Sequence, residues 1–95
     1  MALTFEWDRE KARSNFQKHG IPFDEALTVF SDPVARLIVD DKHSRSELRL
    51  ILLGKSAAGK YLAVMFTNRG PDHIRLISAR TASRRERRQY EETRR

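Results

Sequence analysis

The side chains most able to do chemistry in this sequence are cations. Arg84, Arg85, Arg87 and Arg88 crowd the start of a C-terminal segment, and residues 80–95 hold seven arginines against three glutamates. If that segment is a helix, cations in its first turns oppose the helix dipole, at about 0.3–1 kcal/mol each before screening. The spacings Arg87–Glu91 and Arg88–Glu92 are i,i+4, but in the weaker order. Stability alone therefore explains the cluster poorly. A phosphate-binding surface explains it better, and a solvated charge run is the competing reading. Farther back, Glu47 and Arg49 are spaced i,i+2, which in a strand places them on one face. The same alternation predicts Arg75 on the face of Ile77 and Ala79, and Arg80 on the other with Ile74, Leu76 and Ser78. An arginine set among apolar residues needs an anion, either a carboxylate or a phosphate. A Glu47–arginine pair that pins the sheet would meet that need equally well. His19, beside Lys18, is either a general acid/base or a cap on the end of its helix. His43 and His73 carry no assignable role.

Other chemistries are excluded by what the chain lacks. There is no cysteine among its 95 residues, which removes disulfides, thiolate metal sites and a cysteine nucleophile. Three scattered histidines without a spaced carboxylate cluster make no metal site. No glycine-rich phosphate loop or nucleophile elbow occurs. Catalysis is therefore expected to use neither metal nor cofactor. The formal net charge of +6 favours a polyanionic partner. RNA suits such a chain because it brings its own nucleophile, the 2′-hydroxyl. Positioned cations and one proton acceptor can do the rest. A non-catalytic domain that binds nucleic acid, or one that binds an acidic protein, remains compatible with the same composition.

These residues must be held by a small fold. The length fits one domain, residues 1–95, with a thin core. Leu3 to Trp7 alternates as a first strand, and Asp8 stands where a helix N-cap is wanted. A helix is predicted from about Arg9 to His19, with Ala12, Phe16 and His19 on one face and Lys11, Asn15 and Lys18 on a neighbouring polar face. Gly20 and Pro22 end it. Phe23, Ala26, Leu27 and Phe30 follow at helical spacing, and Asp32-Pro33 closes that element. Strands are predicted at Ala35–Asp40, Glu47–Lys55, Tyr61–Thr67 and His73–Arg80, the last three joined by short turns into an antiparallel meander. Ser83 and Glu86 form a capping box for a final helix that carries Tyr90. The class is α+β, a small antiparallel sheet flanked by helices in the order β-α-α-β-β-β-β-α. Trp7, Phe16, Phe23 and Phe30 are the expected aromatic core. No apolar run approaches a membrane span and the first residues lack a signal-peptide pattern, so a soluble cytoplasmic protein is expected.

Several of these residues recur as motifs. The stretch F-E-W-D (Phe5 to Asp8) is followed by K-A-x-x-N-x-x-K-H-G-I (Lys11 to Ile21) and F-x-E-A (Phe23 to Ala26). Then come E-x-R (Glu47 to Arg49), I-S-A-R-x-A (Ile77 to Ala82) and E-R-x-x-Y (Glu86 to Tyr90). In order and spacing this resembles the BrnT family of toxins. The resemblance implies a RelE-like fold and a ribonuclease that arrests translation. It also implies a BrnA-type antitoxin partner, usually encoded beside the toxin, through which the hetero-oligomer reaches operator DNA. Carried over by motif, the candidate catalytic residues are His19, Glu47, Arg49 and Arg80, with Arg49 and Arg80 stabilising phosphate and His19 or Glu47 as base. Lys18, Arg84, Arg85 and Arg88 would grip the RNA backbone. Tyr90 would stack on a base or, as its position favours, anchor the last helix.

Overall fold

The computed structural model describes residues 3–93. The chain runs β1 (Thr4–Glu6), α1 (Arg9–His19), α2 (Phe23–Ala26), β2 (Arg36–Val39), β3 (Leu50–Lys55), β4 (Tyr61–Gly70), β5 (His73–Thr81) and α3 (Arg84–Thr93). This is the expected order. The N-cap of α1 is Asp8, whose carboxylate accepts from the backbone N–H of Glu10 at 2.7 Å and of Lys11 at 3.4 Å. Its C-terminus closes on Gly20, whose φ of 72° is left-handed and open to glycine at little cost.

The second helix is shorter than its periodicity suggests. After Ala26 the backbone tightens into a 3-10 segment, Leu27–Ser31. Thr28 Oγ1 donates to the Glu25 carbonyl at 2.6 Å. The tighter turn presses Val29 onto β3 where Gly54 lies. A Cβ on Gly54 would come within 2.7 Å of Val29 Cγ1, so that strand position must be glycine for the layers to meet.

The five strands form one sheet in the order β1-β5-β4-β3-β2. From β1 the chain crosses one face through α1 and α2 to the far edge. It then returns by antiparallel steps until β5 lies beside β1. That return makes β1–β5 a parallel pair, Phe5 opposite Ile74, so the sheet is mixed rather than wholly antiparallel. At the β1–β5 edge Glu6 bonds His73 Nε2, and Arg75 Nη1 at 2.9 Å. The His73 hydrogen bond chiefly, with the charges of Arg75 and Arg69, holds the Glu6 carboxyl below the usual range.

Both faces of the sheet are covered. The larger core lies under α1, α2 and the 3-10 segment, where Ile21, Phe23 and Val29 meet Leu52, Val64 and Leu76. Phe30 bridges Phe5 and Phe66 edge-on at 5.1 and 5.0 Å, and Trp7 meets Phe23 the same way. Phe16 does not join them. It is 54% exposed, because α1 turns Asn15 inward instead. On the opposite face, Leu53, Ala63 and Tyr90 form a second cluster under α3.

Strand alternation fails once within β5, with large effect. Met65 pairs with Ser78 but Phe66 pairs with Leu76, which leaves Ile77 as an extra residue. The bulge reverses the faces beyond it. Ala79 therefore joins Ile74 and Leu76 in the larger core, and Arg80 turns to the α3 face, not to the face of Ile74 and Leu76.

Candidate nucleic-acid interface

The bulge is fixed by a buried amide. Asn15, only 6% exposed, donates from Nδ2 to the carbonyls of Ile21 (3.1 Å) and Ala79 (2.9 Å). Its Oδ1 accepts from Ser78 Oγ and from the Ala79 N–H, both at 3.0 Å. A residue expected on a polar face is thus the bolt between α1 and β5.

Ile77 and Ser78 sit where two depressions meet. The first, on the α1 side, is lined by Lys11, Lys18 and His19. The second, on the α3 side, is a cavity of about 470 Å³ bounded by Asp40, Lys42, His43, Arg49 and Arg80, with Ile51 and Met65 as its floor. A third depression shares Lys42, His43 and Arg49 with the second and extends to Arg45 and Glu47. Through these shared residues they form a channel around the edge of β5 that β1, paired only to His73–Arg75, leaves open, and its cations outnumber its carboxylates. A larger cavity of about 570 Å³ lies elsewhere, around Asp32, Lys55 and Tyr90. Its carboxylate is consumed by Val34 N–H, Lys55 N–H and the Tyr90 hydroxyl.

Arg80 and Arg49, both carried over by motif, line one cavity. Arg80 is already engaged. Its Nη1 and Nη2 grip Glu86 Oε1 and Oε2 at 2.6 and 2.9 Å. The Arg80 hydrogen bonds chiefly, with the Ser83 N–H, hold the Glu86 carboxyl at about 2, and the same pairing raises the pKa of Arg80. Glu86 also completes the expected capping box, accepting from Ser83 N–H at 2.8 Å while its own N–H bonds Ser83 Oγ at 3.1 Å. The carboxylate thus ties the end of β5 to the start of α3 and holds the guanidinium at the cavity wall.

Glu47 and Arg49 are placed differently from their spacing. β3 begins at Leu50, so both lie in the preceding loop and strand alternation does not govern them. Glu47 is exposed and bonds Arg69 Nη1 at 3.1 Å. The loop is held by Ser44 Oγ, which accepts from Arg49 N–H at 2.9 Å and donates to the Asp40 carbonyl at 2.7 Å. This brings in two residues that sequence reasoning missed. His43 Nδ1 is 2.9 Å from Asp40 Oδ2, with the imidazole largely exposed and the carboxylate nearly buried. With Nδ1 protonated toward Asp40, Nε2 is left as an acceptor at the cavity mouth. The D-x-x-H spacing, Asp40 to His43, was the available signal, but nothing in the sequence tied it to the arginines.

The remaining candidates divide. Lys18 and His19 are exposed on α1, joined to the arginine cavity only across Ile77 and Ser78. Arg84, Arg85 and Arg88 are exposed along α3, while Arg87 lies 3.9 Å from the Tyr61 ring centroid. Arg94 and Arg95 lie outside the described residues. Tyr90 cannot stack on a base. It is 3% exposed, its ring packs edge-on against Tyr61, and its hydroxyl donates to Asp32 at 2.7 Å. Its role is to anchor α3. Among the described residues no three of His, Asp and Glu cluster as a metal site would require. No helix there is long and apolar enough to cross a membrane.

Comparison with known proteins bears on this arrangement. No curated protein sequence matches the chain. Among solved structures, the chain is similar to the ribonuclease toxin BrnT of Brucella abortus, with a TM-score of 0.66 and 26% identity. The match covers 87% of this chain and all of that one. The family model of the BrnT ribonuclease toxins matches residues 7–86, a span holding the bolt, the bulge, the arginine cavity and the Arg80–Glu86 clamp. The chain belongs to the BrnT family of ribonuclease toxins of type II toxin–antitoxin systems.

Proposed function

We propose that the chain cleaves RNA without a metal ion, at the cavity shared by Arg49, Arg80 and His43. The observation that carries this is the cationic channel with an imidazole, backed by a carboxylate, at the mouth of its arginine cavity. RNA enters along Lys18 and His19, crosses the bulge, and presents a phosphate to Arg49 and to the guanidinium N–H groups of Arg80 that Glu86 leaves free. The 2′-hydroxyl gives its proton to His43 Nε2 as its oxygen attacks phosphorus. The bond to the 5′-oxygen breaks, and that oxygen takes a proton from water. The products are a 2′,3′-cyclic phosphate and a 5′-hydroxyl. Asp40 orients the imidazole and stabilises its protonated form. The two arginines offset charge developing on the phosphate. His19 and Glu47, the bases suggested by motif, serve instead as flanking contacts, one on the far side of the bulge and the other paired to Arg69. Loss of messenger RNA arrests translation in the cytoplasm. A BrnA-type antitoxin neutralises the enzyme and carries the complex to operator DNA.

The test is cleavage of a defined RNA by purified, partner-free protein in EDTA. Wild type should cut. His43→Ala should lower the rate by about 10²–10⁴-fold while retaining RNA affinity. His19→Ala should fall by far less. Cleavage lost in EDTA would overturn the metal-free reading. RNA bound but intact at all times would make the chain a binding module.

A further inference from the structure

Opposite the parallel edge, the sheet ends at β2, and that edge is unusually apolar. Leu37 and Val39 are 55% and 50% exposed, and nearby Leu48 is 57% exposed. Leu37 and Val39 stand opposite Leu52 and Leu50 of β3, so they continue the larger core outward to where no helix covers it. Edge strands are ordinarily guarded by an outward charge or a proline. Residues 36–39, Arg-Leu-Ile-Val, place neither on this stripe.

The backbone is as open as the side chains. Asp40 N–H donates to the Arg49 carbonyl at 2.9 Å. Antiparallel alternation then turns the peptide groups of Ile38 and Arg36 toward β3 and those of Leu37 and Val39 outward. The same two residues therefore offer free hydrogen-bonding groups and exposed apolar side chains. Behind the edge, α3 packs on β2 and β3, held there by Arg36 Nη1 donating to the Gln89 carbonyl at 3.2 Å.

We infer that the β2 edge docks the antitoxin, through an extended segment that adds a sixth strand to the sheet. Its apolar residues, at alternate positions, cover Leu37, Val39 and Leu48. Its acidic residues meet Lys42, Arg45 and Arg49, which lie just past Val39. The inference rests on family membership, which supplies a protein partner, and on the chain's charge of +6, which an acidic segment complements. A second copy fits poorly, since it brings another +6 and only two outward residues to a four-residue strand. Position explains inhibition as well. Val39 is followed directly by Asp40 at the wall of the arginine cavity, so a segment running past Val39 crosses the cavity mouth.

The experiment is hydrogen exchange on the full chain, alone and with a purified BrnA-type antitoxin, together with titration of Leu37→Lys/Val39→Lys. The amides of Leu37 and Val39 should slow at least tenfold on binding. The double variant should bind at least thirtyfold more weakly while cleaving RNA at the wild-type rate. Should it fail to fold, Leu48→Lys, outside any strand, should weaken binding in the same sense. Protection confined to the α1–α2 surface around Phe16, unchanged affinity of the folded variants, or a free chain already dimeric with these amides protected would each overturn the inference. Failure of the cleavage reading is separable: wild type would then cut no RNA, whatever the exchange pattern.

Discussion

At the scale of single residues, two side chains hold the elements around the cationic channel together. Asn15 satisfies three buried backbone groups at once, and no other residue type has the same donors and acceptors at that length. Asn15→Ala leaves those groups unpaired, at roughly 1–3 kcal/mol per buried group. The expected loss is about 3 kcal/mol in urea denaturation, with RNA cleavage reduced even where the protein is folded. Glu86 makes a sharper prediction. Its carboxyl titrates at about 2 in the folded chain against 4.5 ordinarily, so its clamp contributes stability above pH 4.5. That contribution declines as pH falls toward 2. Discounted for partial exposure, it amounts to about 1–2 kcal/mol. Wild type should thus lose more stability than Glu86→Gln between pH 5 and pH 2.5, and equal losses would show that the clamp is not coupled to folding. Arg80→Lys should keep the charge but lose the two-pronged grip, lowering both cleavage and the α3 contribution to stability.

At the scale of elements, helix ends were legible and strand faces were only partly so. Asp8, Gly20 and the Ser83–Glu86 box announce themselves because capping is local chemistry, readable within four residues. The order of elements and the α+β class followed from the change of hydrophobic period. The bulge at Ile77 was not legible. One extra residue in β5 is decided by the register of β4 and by the Asn15 side chain, which lies 64 residues from Ala79. Strand alternation alone, blind to the bulge, puts Arg80 on the wrong face. Arg49 and Arg80 line one cavity although no strand period joins them, and the loop that carries His43 has no period to read. Gly54 is a further case of distant control. Gly54→Ala would force a methyl to within 2.7 Å of Val29. It should cost about 1–3 kcal/mol by overpacking, measurable as a lowered denaturation midpoint with an unchanged slope.

At the scale of the whole molecule, charge and topology divide the surface. The channel around β5 is cationic and the β2 edge is apolar. If RNA lies in the channel, log affinity should fall linearly with log salt. Each phosphate contact removed should flatten the slope, by about 0.7 on a single strand. Lys18→Ala and Arg49→Ala should each reduce the slope by that amount in filter binding with a His43→Ala background. Leu37→Lys should not reduce it.

The parallel β1–β5 pair adds a consequence in the time of synthesis. The strand made first must wait for the strand made last, and such distant pairings form late. Arg80 leaves the ribosome at the end of β5, and the Glu86 that holds it leaves later still. The β2 edge and its β3 neighbour emerge well before either. If the β2 edge is the antitoxin's dock and this cavity cuts RNA, a nascent chain presents the dock before the cavity is complete, and an antitoxin already in the cell would meet the toxin before it can cut.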